Sequence, residues 1–150
     1  MKIVVQRVKQ AACYVDDELI NQIEKGFCLF VSFKKGDDAS LIPWMAKKIA
    51  NLRVFEDEDG KMNRSLLDNN YEVLSISQFT LEGNTKKGNR PSFSEALAPR
   101  EANALYELFN EALKAQGLSV YPGVFKAHMA IKIINDGPVT LLVERENSDD

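Results

Sequence analysis

The chain has 150 residues, an apolar fraction of 45% and a formal net charge of −3. That length predicts one domain with an ordinary core, and the acidic balance excludes a general electrostatic nucleic-acid binder, which would be basic. No apolar run approaches the ~18 residues a membrane span needs. Charges at Lys2 and Arg7 break up any leader core, so a cytoplasmic chain without membrane contact is expected.

Residues 2–9 alternate enough to predict a strand. Runs 11–15 and 19–23 flank Asp16-Asp17-Glu18 and read as a hairpin. Phe27 to Val31 is apolar throughout, as a central strand requires. Leu41, Met45, Ile49 and Leu52 then recur at helical spacing, with Pro43 in the first turn, where its missing N–H costs little. Arg53 to Phe55 reads as a short strand closed by the acidic turn 56–60, which lacks the ligand spacing of a calcium loop. Tyr71 to Ser77 is a second central strand, followed by a polar loop from Glu82 to Ser94. Pro99 opens a second helix bearing Ala102, Leu105, Phe109 and Leu113 on one face, and Gly117 sits where a helix-ending glycine belongs. Strands are expected over 118–121, 128–134 and 139–145, with an acidic tail, 146–150, expected to fray. The order predicts a mixed α/β domain over residues 1–145, with largely antiparallel sheets and two helices on one side.

The side chains offer little strong chemistry. Cys13 and Cys28 lie inside apolar runs and read as small buried hydrophobes, making neither a zinc set nor a disulfide framework. The single histidine, His128, would have to serve any Ser-His-Asp arrangement, and it stands at the start of an apolar strand. No phosphate loop, metal set or paired-carboxylate motif is present, so neither metal nor cofactor is expected. An enzyme built this way needs a substrate that is already reactive, an activated ester, for which positioning and carbonyl polarisation suffice. Two segments could supply that. Ser77-Gln78-Phe79-Thr80 ends a strand with hydroxyls, an amide and backbone N–H groups. Asn135-Asp136-Gly137-Pro138-Val139-Thr140 lies between two apolar runs. Asp136-Gly137 signals a hairpin, while Pro138 removes a ladder donor, a conflict that a cis bond would resolve by pushing carbonyls outward. Lys86, Lys87 and Arg90 put three cations in one loop, which is either a solvated loop or a local RNA contact.

Together these segments resemble the D-aminoacyl-tRNA deacylase family, also called D-tyrosyl-tRNA deacylases. The likeness runs from Lys2-Ile3-Val4-Val5-Gln6-Arg7-Val8 through Asn51 to Asp57, Gly60 to Ser65 and Thr85 to Phe93, and ends at Leu141-Leu142-Val143. The resemblance implies a three-layer β/β/α fold and a homodimer with its active site at the subunit interface. It implies hydrolysis of the ester joining a D-amino acid, or glycine in glycyl-tRNA, to the acceptor end of tRNA, with no DNA partner. By that resemblance Ser77, Gln78, Phe79 and Thr80 form the catalytic floor. Gly137 and Pro138 reach across from the partner for chiral selection, supported by Arg7, Asn135 and Thr140. Phe125 and Met129 line an adenine pocket, and Lys86, Lys87 and Arg90 contact the tRNA. The family pattern carries Gly and Asp where this chain has Lys126 and His128. Two other readings stand beside it: a non-catalytic RNA-binding module, and a hydrolase of another small activated ester using Thr80 or Ser77 as nucleophile.

Overall fold

A computed structural model describes residues 1–149. The long first strand β1 (Lys2–Val15) organises the molecule. Its second half turns through Asp16 and Asp17, both at positive φ, into β2 (Glu18–Ile23), the backbone hand that tight hairpins require. Its first half pairs antiparallel with β3 (Gly26–Ser32). Parallel neighbours follow, β6 (Glu72–Ser77) beside β3 and β7 (Ser119–Pro122) beside β6. The last strand β8 (Ala130–Glu144) runs antiparallel along the other edge of β1, over nearly its full length. Between β3 and β6 lie α1 (Ile42–Asn51), a small hairpin of β4 (Phe55–Glu56) and β5 (Met62–Arg64), and the one-turn α2 (Leu66–Asn69). The second long helix, α3 (Pro99–Ala115), connects β6 to β7.

The apolar run in β3 is buried on both faces, and the two faces meet different layers. Phe27, Leu29 and Val31 pack with Met45 and Ile49 of α1 and Phe109 and Leu113 of α3. Cys28, with Leu74 and Ile76 of β6, packs against Ala11, Cys13 and Ile23 of the curled β1–β2 half, with Ile131 and Ile133 of β8 beside them. The Asn21 amide closes that curl by donating to the Pro122 carbonyl at 2.6 Å. This is the expected mixed α/β domain: helices, a central sheet, and a second β layer.

Three expectations of detail change. The runs 2–9 and 11–15 are one strand, because β8 pairs across the break between them. The predicted turn between 128–134 and 139–145 is not a hairpin either. Both flanks pair with the same neighbour, Asn135 opposite Val8 and Thr140 opposite Gln6, so Arg7 alone faces residues 136–139. The segment is a wide bulge within one strand. The strand expected at 53–55 falls at Phe55–Glu56, paired with Met62–Arg64. Of the tail expected to fray, residue 150 lies outside the described residues. Asn147 donates to the Gly36 carbonyl at 2.5 Å and accepts from the Ser40 hydroxyl at 3.2 Å.

Candidate functional site

The end of β6 opens onto the main cavity, of about 480 Å³. Ser77, Gln78 and Phe79 form one wall, and Phe125 and Met129 stand on another. The sheet fixes the strand end: Ser77 pairs with Val31, and the Gln78 N–H donates to the Val31 carbonyl at 2.8 Å. Beyond it the chain winds into a tight 3-10 turn over Phe79–Glu82. That turn uses the N–H groups of Leu81 and Gly83, donated to the Gln78 and Thr80 carbonyls. Among the described residues, the N–H groups of Phe79 and Thr80 have no acceptor. The first donors of any helical turn lack internal partners, so this strand end presents adjacent uncommitted donors.

The side chains of the segment diverge. The Gln78 amide donates to the Thr80 hydroxyl. Thr80 is exposed and lies outside the cavity lining. Phe79, 56% exposed, meets Phe93 edge-to-face at 5.3 Å. Phe93 also leans on Gly83, where an added Cβ would lie 2.9 Å from its ring.

A buried polar network sets the cavity from behind. The Tyr106 hydroxyl on α3 donates to the Ser75 carbonyl at 2.6 Å, and the Ser75 hydroxyl donates to Asn110 at 2.7 Å. The Gly123 N–H donates to the same Ser75 carbonyl at 2.9 Å, tying the Phe125–Met129 segment to β6. Burial raises the Tyr106 phenol above its ordinary value despite these hydrogen bonds, so it stays a donor at neutral pH. Gly123 fits between Met129 and Ile76, where a Cβ would lie 2.8 Å and 2.9 Å from them. The cavity wall is mainly apolar and also includes Phe33, Leu97 and Ala102. Periodicity placed Ala102 on the apolar face of the second helix and gave Phe33 and Leu97 no element; Phe93, an aromatic residue in a polar loop, carried a visible signal.

The second segment lies on β8, away from this cavity in the single chain. Its Gly137-Pro138 bond is cis. Asn135 and Thr140 bracket the bulge as exposed pairing residues. Arg7 is buried beneath it. Its Nε donates to the Asp136 carbonyl at 3.1 Å, and its Nη1 donates to the Val54 carbonyl at 2.7 Å. Gly137 has φ +119, and a Cβ there would lie 2.9 Å from Arg7 Nη2. Only glycine suits both the backbone and the guanidinium below it. The cations Lys86, Lys87 and Arg90 are exposed in a loop closed by reciprocal backbone bonds between Asn84 and Ser92. They do not line the main cavity. Lys86 instead borders a separate polar recess with Lys2 and Lys34. His128 is exposed on the cavity rim. Both cysteines are buried, and burial lifts the Cys28 thiol to about 12, which leaves it inert.

A family model described as D-Tyr-tRNA(Tyr) deacylase matches residues 4–144. The chain is 49% identical over 144 residues to a D-aminoacyl-tRNA deacylase of Geotalea daltonii, covering 96% of each. It is 50% identical over 145 residues to one from Exiguobacterium sibiricum, covering 97% of this chain and 100% of that one. The solved structure of a c-Myc DNA Unwinding Element Binding Protein matches with a TM-score of 0.91 at 42% identity, over 97% of this chain and 99% of that one. A probable eukaryotic D-amino acid tRNA deacylase matches with a TM-score of 0.82 over 95% and 97% of the two chains. At 16% identity that likeness speaks for the fold alone.

Proposed function

The chain belongs to the D-aminoacyl-tRNA deacylase family, enzymes that hydrolyse D-aminoacyl-tRNA in translation proofreading, and on that premise we propose that its main cavity receives the aminoacyl-adenosine end of the substrate. The observation that carries the reading is the β6 end, where uncommitted N–H groups follow Ser77 beside an apolar cavity. An aminoacyl ester is an activated acyl group. Donors aimed at its developing oxyanion stabilise the transition state without a strong base, and fixing the ester beside its attacking water removes much of the entropic barrier. Water adds to the carbonyl carbon, the bond to the ribose 3′-oxygen breaks, and that oxygen takes a proton. In this reading the neighbouring ribose 2′-hydroxyl assists the proton transfer. Thr80 supports that version over a nucleophilic one, because its hydroxyl already accepts from Gln78 and no basic side chain is paired with it among the described residues.

Chiral selection falls to Gly137-Pro138 of a partner subunit. Arg7 holds the bulge from below, which leaves its far side for an incoming α-amino group. Main-chain atoms then reject an L side chain by contact, whatever that side chain is. Glycine has nothing to reject, so glycyl-tRNA is also a substrate in this scheme. The homodimer is supported by β8, whose outer edge has no neighbour among the described strands and which exposes Ile134 and Leu142 at 53% and 57%. Unpaired edges and exposed apolar patches are what interfaces cover. Adenosine stacks near Phe125 and Met129, and the Lys86–Arg90 loop meets the acceptor stem.

The test is release of amino acid from D-Tyr-tRNA, L-Tyr-tRNA and Gly-tRNA. Hydrolysis of the D and glycyl substrates with the L substrate spared is the expected result. Equal turnover of the D and L esters would indicate an unselective esterase. Binding without turnover would indicate an RNA-binding module.

A further inference from the structure

Lys126 occupies a position that its backbone ill suits. The Ala127 N–H donates to the Val124 carbonyl at 3.2 Å, closing a turn over residues 124–127. Lys126 is the third residue of that turn, at φ +66. Turns with positive φ there ordinarily take Gly or Asn, because an L side chain crowds its own backbone. The turn is held on both sides: Phe125 packs near Tyr106, with ring centroids 6.2 Å apart, and Gly123 is bonded to Ser75. The chain thus keeps a long cationic side chain where glycine would cost less.

The charge on Lys126 is also uncommitted. Lys126 is exposed, and it makes no hydrogen bond or ion pair among the described residues. Among the described residues it is the one lysine or arginine on the main cavity wall, and no carboxylate lines that wall to neutralise it. Strain retained at a cavity rim is a mark of function when the surroundings hold it in place. Resting on the reading above, the cavity takes the last nucleoside of an RNA strand, and its nearest charge is the phosphate on the 5′ side of that nucleoside. We infer that Lys126 binds this phosphate, making it a specificity residue that separates a tRNA end from a free aminoacyl nucleoside.

The experiment compares two substrates, D-Tyr-tRNA and D-tyrosyl adenosine, the second lacking any phosphate. Lys126→Gly should raise KM for D-Tyr-tRNA about threefold to tenfold at low salt, with a much smaller change for the nucleoside ester. The logarithmic salt slope of kcat/KM should fall by ~0.7, the value for one lost contact to a single strand. Lys126→Arg should restore most of the loss. The thermal midpoint of Lys126→Gly should match or exceed that of the parent, since glycine relieves the positive φ, and this excludes misfolding as the cause. Equal losses on both substrates, or no loss on D-Tyr-tRNA, would overturn the inference while leaving the deacylase reading intact. A parent protein that hydrolyses neither substrate would overturn both.

Discussion

Two residues separate the chemical alternatives. If Thr80 were the nucleophile, removing its hydroxyl would abolish turnover. In the scheme above it only receives a hydrogen bond from Gln78, so Thr80→Ala should keep activity within about tenfold of the parent, the weight of one lost hydrogen bond. Single-turnover hydrolysis of D-Tyr-tRNA measures this, and a loss of several thousandfold would reinstate the nucleophile. Gly137 tests the other half of the site. A methyl group there meets Arg7 Nη2 at 2.9 Å on a backbone at φ +119. Gly137→Ala should destabilise the fold by about 1–3 kcal/mol and depress turnover of D-Tyr-tRNA more than that loss of folded protein explains. Retention of full activity and chirality would remove the bulge from the mechanism.

At the scale of elements, the loop from Asn84 to Ser92 and the one-turn α2 can be tested separately. The loop's three cations are exposed and none has an ion-pair partner among the described residues. Replacing Lys86, Lys87 and Arg90 with Ala should weaken tRNA binding and flatten its dependence on salt, because fewer counterions are released. An unchanged slope in filter-binding titrations would make the loop mere solvated surface. Helix α2 survives at one turn through reciprocal capping: the Ser65 hydroxyl accepts from the Asp68 N–H at 3.1 Å, and the Asp68 carboxylate accepts from the Ser65 N–H at 2.8 Å. The Ser65 N–H, and after it the Ser65 side chain, hold the Asp68 carboxyl below its ordinary value. A depressed carboxyl stabilises the fold above its unfolded-state value and loses that contribution as pH falls through its folded-state value. The stability gap between the parent and Asp68→Asn should therefore be present at neutral pH and close in acid, as followed by urea denaturation. A gap independent of pH would assign the effect to something other than the carboxylate.

For the whole molecule, the property to test is the proposed assembly. In the proposed dimer β8 loses its exposed edge, and each cavity is completed by the partner's Gly137-Pro138. Leu142→Glu places a charge on the outer face of β8, 57% exposed in the single chain. The variant should sediment as a monomer with its fold retained, and chiral hydrolysis should fall with the dimer fraction. A monomer that still hydrolyses D-Tyr-tRNA selectively would show that one chain suffices.

The sequence by itself determined the elements whose signals are local. Helical spacing marked α1 and α3, an unbroken apolar run marked β3, and turn residues marked the hairpin at Asp16-Asp17, because each depends on neighbours a few residues away. The two polar segments were legible too, as a strand end and as a Gly-Pro conflict between apolar runs. The tertiary structure decided what depends on distant pairing. Asp136-Gly137 has the local chemistry of a hairpin, yet both of its flanks bond to β1, so the long-range ladder overrides the turn. By pattern alone Arg7 is one charge in an alternating strand, and the family resemblance named it a support of the Gly-Pro segment without saying how. Only the fold puts its guanidinium between the Val54 and Asp136 carbonyls. The cavity walls at Phe33 and Leu97 were likewise invisible, and Ala102 was legible only as a helix-face residue, since an apolar residue facing a cavity and one facing the core obey the same periodicity.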